Sequence, residues 1–473
     1  MASPFFVPPR PPVRDPDSRW YHSLTAVRTN ALRLWSQEAY EEDVLAGRFL
    51  GRPNLVVNAP DLIHHVLIAN AGNYRRTPAT IRILRPIVGR GLLLSEGDEW
   101  KHQRRTIAPA LAPRVIPLLA RHIAGAAHDT ARQLAIGDRE AVDLLSAVQM
   151  AALEIAARSM FSLEVREYGA AMRALMQSFA ARLGRPYLFD ILLPPAIPTL
   201  RDIARRRFRK SWLELMDNII AARLAAPPSE TPRDLFDLLR AARDPETGAA
   251  FSHTQLRDQV ATMIVAGHET TALTLFWSLY LLACAPEEQR RVSDEVRDLD
   301  LSAEGAAHAL PKLAATRAVV DETLRLYPPA FLLIRQAIGA DRCREIVIPR
   351  SSLVMISPWV LHRHVRLWDN PDAFNPSRFR DGAPKHRFAF LPFGAGPRIC
   401  VGAQFALAEA SLVLAILIQK FEFALADTLP VLPVAVVTTQ PDRPAPFRLR
   451  RRSEPDPATL AFDEGAAAKL AAN

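Results

Sequence analysis

Residues 254–284 keep the apolar period of an α-helix almost without a break, and Ser252 and Gln255 open the stretch with the spacing of a capping box. A helix of about thirty residues spans about 45 Å, the full width of a domain, so the rest of the chain must pack around this rod. The most apolar stretch of the chain lies within it, ALTLFWSLYLLAC at 272–284, 13 residues long. A membrane span needs roughly 20 such residues, and the stretch therefore reads as a buried core helix.

Helical spacing dominates elsewhere too. Ala, Leu and Arg recur at three- and four-residue intervals from about 98 to 240, except at 184–198 (GRPYLFDILLPPAIP), where Gly184 and four prolines forbid continuous helix. The run NLVVNAPDLIHHVL (54–67) reads as strand, turn and helix, with Asn58, Pro60 and Asp61 supplying the break. A helix ends at LYPP (326–329), and two strand-like runs, EIVIP and SLVMIS, follow within 345–357 around Pro349. An irregular Pro- and Phe-rich stretch covers 368–397, and a last helix begins near Cys400. The expectation is a mainly α fold with a small β part (α+β). It comprises an extended Pro-rich segment at 1–20, a single domain at 21–452 and a mobile tail at 453–473.

Cys284, Cys343 and Cys400 are odd in number and far apart, with no CxxC pair. That argues against a disulfide framework or structural zinc site and fits a reducing compartment. The formal charge is +9, almost all of the excess arginine. The runs RRRFRK (205–210) and RLRRR (448–452) read as solvated helix faces and a charged tail. No aromatic interleaving accompanies them, so nucleic acid is not an expected partner, whereas an acidic protein partner is. The N-terminus has neither a basic leader nor a long apolar run, and the expectation is a cytoplasmic protein without a membrane anchor.

The chemistry gathers at FGAGPRICVG (393–402). Gly394 and Gly396 can take backbone angles closed to other residues and leave room for a flat object, while Pro397 stiffens the approach. The segment after Cys400 is strongly helical, so the thiol sits near a helix N-terminus, where the dipole and free N–H groups favour thiolate. A single cysteine as sole protein ligand points to haem, since zinc and iron–sulfur sites recruit several. Arg398 is placed to pair with a propionate. A dinucleotide fingerprint would need glycine at 399, which is Ile399. The pattern FxxGxRxCxG has a chance frequency below about one in a million start positions. It resembles the cysteine-ligand loop of the cytochrome P-450 family, the haem-thiolate monooxygenases.

Other stretches carry the same resemblance. In AGHETT (266–271), Gly267 weakens the helix and Thr270 can bond the carbonyl of Ala266 four residues back. The resemblance implies that this turn lies over the haem, with Ala266 against the cofactor and Glu269 and Thr270 delivering protons to oxygen. WKHQRR (100–105) sets Trp100 and Arg104 on one helix face, a pair of donors suited to a haem carboxylate. The resemblance also implies Arg335 as a further propionate partner, with Phe393 and Gly394 completing the cofactor-binding set. ETLR (322–325) followed by FNPSRF (374–379) looks like the family's structural Glu–Arg–Arg cluster of Glu322, Arg325 and Arg378. His102 and His268 have nothing that singles them out as ligands.

The resemblance implies haem b with Cys400 as axial ligand to the iron and O2 as co-substrate. It also implies electrons from NAD(P)H, passed through a ferredoxin or flavodoxin and its reductase, and a monomeric enzyme. The lipophilic substrate would lie against a 76–95 loop, the YLFDILLPP segment and 329–334, with Leu92, Leu93, Leu94, Phe331, Leu332 and Leu333 as apolar lining. A peroxide-driven relative and a haem-binding sensor or carrier stay open as alternatives. Many soluble bacterial members have His where Arg398 stands, which makes substrate inference from them unsafe.

Overall fold

The computed structural model describes residues 5–452 apart from 16, 18, 19, 50, 137–140, 163–167, 195, 226, 228, 381–383 and 385. The helices that position the site are α1 (Pro78–Val88), α2 (Gly97–Ile107), α3 (Ile116–Ala135), α4 (Leu144–Phe161), α5 (Leu200–Ala225), α6 (His253–Cys284), α7 (Ala314–Leu326) and α8 (Ala403–Lys420).

α6 is the expected rod, 32 residues long and hence about 48 Å. Its capping box is formed: the Gln255 N–H donates to Ser252 Oγ at 3.3 Å, and the Ser252 N–H donates to Gln255 Oε1 at 2.9 Å. Pro286, which opens the next helix, fixes where it stops. The rod belongs to two apolar cores. Its C-terminal half, Ala272 to Leu282, is buried on every side, with α4, α7 and α8 packed against it. There the Trp277 ring stacks on Tyr327, centroids 3.9 Å apart, and its N–H reaches the Thr439 carbonyl at 3.0 Å. The N-terminal half gives Leu256, Val260, Ala261 and Ile264 to a second cluster around Trp212 of α5. Each buried indole contributes on the order of 4–6 kcal/mol of transfer energy.

The small β part is a five-stranded sheet of β1 (Val44–Phe49), β2 (Arg52–Val57), β3 (Tyr74–Arg75), β4 (Leu333–Ala337) and β5 (Leu353–Ile356), in the order β1-β2-β5-β4-β3. Only β2 and β5 run parallel. Gly51, at φ +78°, closes the β1–β2 hairpin, and Leu55, Val57, Val354 and Ile356 bury the inner face. The strand, turn and helix read from 54–67 are present, as are the strands within 345–357. Phe5–Asp15 form no regular element, and the tail expected at 453–473 lies outside the described residues.

Four expectations need correction. The basic run 205–210 is not a solvated face throughout: Arg205 is 2% exposed and clasps Asp190 at 2.6 Å, because Asp190 arrives from the proline-broken segment. The run 448–452 is not a tail but part of the strand Pro446–Arg451, paired with Phe421–Leu425, where Glu422 meets Arg450. The segment 76–95 is not a loop, since Thr77 caps α1 by accepting the Thr80 N–H at 3.2 Å, and helix fills most of it. Nor is 272–284 the most extended apolar run. α4 and α8 are each 18 residues and apolar enough by composition to cross a membrane, with 50% and 67% of their residues buried within the fold.

Candidate active site

The cysteine loop is built by two left-handed glycines. Gly394 and Gly396 have φ of +71° and +72°, and a Cβ on Gly396 would fall 2.0 Å from the Leu67 carbonyl oxygen. The loop folds back so that the Cys400 N–H donates to the Phe393 carbonyl at 2.9 Å, and α8 begins three residues later at Ala403. Cys400 is exposed as a residue, although protein atoms crowd its sulfur. Burial pushes the thiol up, while the Gly402 N–H and the Arg104 guanidinium pull it back.

Arginines surround this loop. Arg398 donates to the Ser95 carbonyl at 2.9 Å and to Glu96 Oε2 at 2.5 Å, and its guanidinium lies 4.5 Å above the Trp100 ring. Arg104, on the same face of α2 as Trp100, donates to the Ile399 carbonyl at 2.7 Å. Among the described residues, Arg335 on β4 reaches only the Ile334 carbonyl beside it, at 3.0 Å. Arg76 joins them, a residue that sequence reasoning missed, and its Nε is buried without a partner among the described residues. Burial, then Arg335 and Arg398, pull Arg76 down to about 9, and burial with Arg398 lowers Arg335. Glu96 is the one carboxylate that these causes name against three guanidiniums. The Trp100 N–H has no partner among the described residues. Unpaired donors beside an exposed cysteine suit a flat cofactor that carries carboxylates.

A second group sits on α6. Thr270 Oγ1 donates to the Ala266 carbonyl at 2.6 Å, as its spacing predicts. Ala266 is exposed, and a Cβ on Gly267 would meet nothing within 4 Å, so this turn faces open space. Glu269 does not bond Thr270. Its Oε1 accepts instead from Thr438 Oγ1 at 2.8 Å and Gln440 Nε2 at 2.5 Å. One residue on, Thr271 reaches Glu409 of α8 at 3.4 Å, which ties the rod to the helix that follows the cysteine. Glu409 is wholly buried and pushed up to about 8, mainly by that burial. Thr438, Gln440 and Glu409 had no local signature; only the fold brings them to 269–271.

The Glu–Arg–Arg cluster is assembled. Glu322 and Arg325 are fully buried and bonded at 2.7 Å, Arg378 lies 3.4 Å from Glu322, and Arg325 also donates to the carbonyls of His362 and Ala373. His102 is held by Asp244 at 2.6 Å, and His268 donates to the Gln149 carbonyl at 3.0 Å with burial holding it down at about 4.

A cavity of about 810 Å³ opens beside the site, between the sheet, the first half of α1 and 184–194. Phe331, Leu332 and Leu333 line it as expected, and so do Ile191, Leu192 and Leu193 of the YLFDILLPP segment. Leu92, Leu93 and Leu94 do not. Leu92 and Leu94 are buried in the second core with Leu93 packed against it, since Gln259 of α6 holds the Leu92 N–H at 2.9 Å. Neither Cys400 nor Thr270 touches the cavity; Arg76, Leu333 and Arg335 are where it meets the arginine cluster.

Comparison with known proteins agrees with this architecture. The family model for Cytochrome P450 matches residues 29–443. Cyclooctat-9-en-7-ol 5-monooxygenase of Streptomyces melanosporofaciens is 31% identical over 347 residues, covering 71% of this chain and 73% of that protein. A cytokinin hydroxylase of Arabidopsis thaliana is 30% identical over 361 residues, covering 75% of this chain and 70% of that protein. The crystal structure of the cytochrome P450DA heme domain superposes with a TM-score of 0.77 at 24% identity, covering 95% of this chain and 98% of that one. The fold and these relatives define an oxidoreductase of the haem-iron monooxygenase class, which uses O2 and draws electrons through a redox partner. The chain belongs to the cytochrome P450 family.

Proposed function

We propose that this enzyme inserts one oxygen atom of O2 into a lipophilic small molecule. Its electrons come from a separate ferredoxin or flavodoxin that is fed by NAD(P)H. The observation that carries the reading is the exposed Cys400 on a loop that α2 grips at two points, through Arg398 over Trp100 and Arg104 on Ile399. In this reading Cys400 is the axial ligand of haem b. Arg398, Trp100, Arg104, Arg335 and Arg76 hold its carboxylates, and Phe393, Gly394 and Ala266 leave room for its plane. The haem, when bound, supplies the activation of O2 by a thiolate-ligated iron.

The chain's own groups do the rest. The guanidiniums neutralise and orient the cofactor's acids, whose charge restores Arg76 and Arg335 toward their ordinary range. Thr270 keeps its hydroxyl proton on the Ala266 carbonyl and can turn it toward the open side of α6. Glu269 is the proton reservoir; Thr438 and Gln440 aim its carboxylate, and it must release one of them to pass a proton inward. The apolar walls at 191–193 and 331–333 exclude water and favour a lipophilic substrate.

The hydroxylase and monooxygenase relatives support this reading over a sensor or carrier. Turnover under isotope-labelled dioxygen with a surrogate ferredoxin and reductase tests it. One labelled atom in the organic product is expected; haem binding without turnover on any lipophilic compound would leave the carrier reading in its place.

A further inference from the structure

Glu269 must let go of Thr438 or Gln440 before it can pass a proton inward, and both partners belong to a hairpin that also walls the cavity. Its strands, Pro433–Ala435 and Thr439–Pro441, run antiparallel with Ala435 opposite Thr439. Val436 and Val437 form the tip and line the cavity. Val437 is 37% exposed, whereas Thr438 beside it is 8% exposed and donates its hydroxyl to Glu269 Oε1 at 2.8 Å. Gln440 reaches the same oxygen at 2.5 Å. Among the described residues, this hairpin is the one element that both lines the cavity and hydrogen-bonds Glu269.

The hairpin is held at its base and free at its tip. Asn30 clasps one strand, donating to the Pro433 carbonyl at 3.0 Å and accepting the Ala435 N–H at 3.0 Å. The other strand is pinned at the fully buried Thr439. Its hydroxyl donates to the Pro328 carbonyl at 2.7 Å, and its carbonyl accepts the Trp277 indole N–H at 3.0 Å. Asp442 closes the open end by accepting the Leu432 N–H at 2.9 Å. Val436 and Val437 make no hydrogen bond outside the hairpin among the described residues. Gln440 stands between the anchored Thr439 and Asp442, so a push on the tip displaces Thr438 and leaves Gln440 in place.

We propose that the tip senses a filled cavity. A lipophilic molecule against Val436 and Val437 draws the Thr438 hydroxyl off Glu269, and the carboxylate, left on the single tether of Gln440, is free to pivot. The inference rests on the monooxygenase reading and adds the trigger of its proton step: Glu269 is held while the cavity is empty and released once it is occupied. Thr438 is thus a positioning residue that acts through Glu269. Such coupling is reciprocal. Occupancy weakens the Thr438–Glu269 bond by as much as that bond weakens occupancy, and a protein without the bond should take a cavity-filling ligand more tightly.

The test is an optical titration of the haem-loaded full chain with imidazole, 1-methylimidazole and 1-dodecylimidazole. The ring of each binds iron, and only the last carries a chain long enough to fill the cavity. Thr438→Val should bind 1-dodecylimidazole about tenfold more tightly than the parent, the scale of a hydrogen bond to a charged group. The two small azoles should bind both proteins within about twofold of each other. Thr438→Ser, which keeps the hydroxyl, should match the parent. Glu269→Ala should show the same gain as Thr438→Val, and the double variant should gain nothing further. The proposal is overturned if the long azole binds Thr438→Val no more tightly than the parent, or if Thr438→Val still tightens binding when Glu269 is already absent. The carbon monoxide spectrum of the reduced samples separates the two readings. A thiolate-type band without the gain defeats the sensor alone, and no such band defeats the monooxygenase reading.

Discussion

The guanidinium of Arg398 lies over the indole of Trp100, 4.5 Å from the ring centroid, while its fork reaches Ser95 and Glu96 just ahead of the same helix. Two residues before the cysteine, the loop is thus clamped to the start of α2. Arg104, one turn beyond Trp100, holds the next carbonyl, that of Ile399. The position of Cys400 is set by α2 as much as by its own glycines.

Trp100→Ala removes the platform under Arg398. A stacked cation–ring contact and the packing around it are together worth roughly 2 kcal/mol. The variant should unfold at lower temperature and lose haem faster than the parent, whereas Trp100→Phe, which keeps a ring under the guanidinium, should recover most of both. Thermal unfolding and the rate of haem release check this. Equal behaviour of the Ala and Phe variants would remove the clamp from the account.

Gly396 and Gly394 share a backbone conformation but not a neighbourhood. Alanine at 394 meets nothing closer than Leu333 at 3.9 Å and carries only left-handed strain, about 1–2 kcal/mol. Alanine at 396 collides with the Leu67 carbonyl at 2.0 Å, and the loop must move by more than an ångström to admit it. Gly396→Ala should abolish haem retention, and Gly394→Ala should keep it with reduced stability. Haem content after gel filtration distinguishes them.

Glu322 and Arg325 are a fully buried pair. Glu322→Gln leaves a guanidinium buried without a counter-charge, a loss of about 3–5 kcal/mol. Urea denaturation should show the lower midpoint with an unchanged slope, because the surface exposed on unfolding is unchanged.

Glu409 gives the fold a pH signature. Burial raises its carboxyl from 4.5 to about 8, so the native state holds a proton that the unfolded chain has lost over that window. Stability therefore falls as pH rises toward about 8, by up to about 1.4 kcal/mol per pH unit. His268 and His362, held down at about 4 and about 3 by burial, act with the opposite sign: they weaken the fold as pH drops below 6.5. Between pH 6.5 and 8 only the Glu409 slope operates among the three, and Glu409→Gln should flatten it. An unchanged slope in that variant would assign the effect elsewhere.

What the sequence disclosed, and what it hid, follows from range. The α6 cap is legible because Ser252 and Gln255 are three residues apart, and the cysteine loop because its glycines and Arg398 lie within six residues of Cys400. The Ala266–Thr270 bond is likewise one helical turn. Glu269 with Thr438 and Gln440, Arg398 with Glu96, and Thr271 with Glu409 join positions more than a hundred residues apart, and none of the partners has a pattern of its own. Arg205 misleads at shorter range: a basic run looks solvated until Asp190, from the proline-broken segment before it, pairs with one member. In the 76–95 segment Pro86 argues locally against a helix, yet Thr77 and Pro78 start one and Asp258 receives it at the far end through the Arg90 N–H.

The central claim is that the sulfur of Cys400 is the protein's bond to haem iron. The most direct measurement is the absorption spectrum of the reduced protein under carbon monoxide, with Cys400→His beside the parent. A thiolate-type band in the parent that gives way to an imidazole-type band in the variant is the predicted result. An imidazole-type band in the parent, or the same band in both proteins, contradicts it.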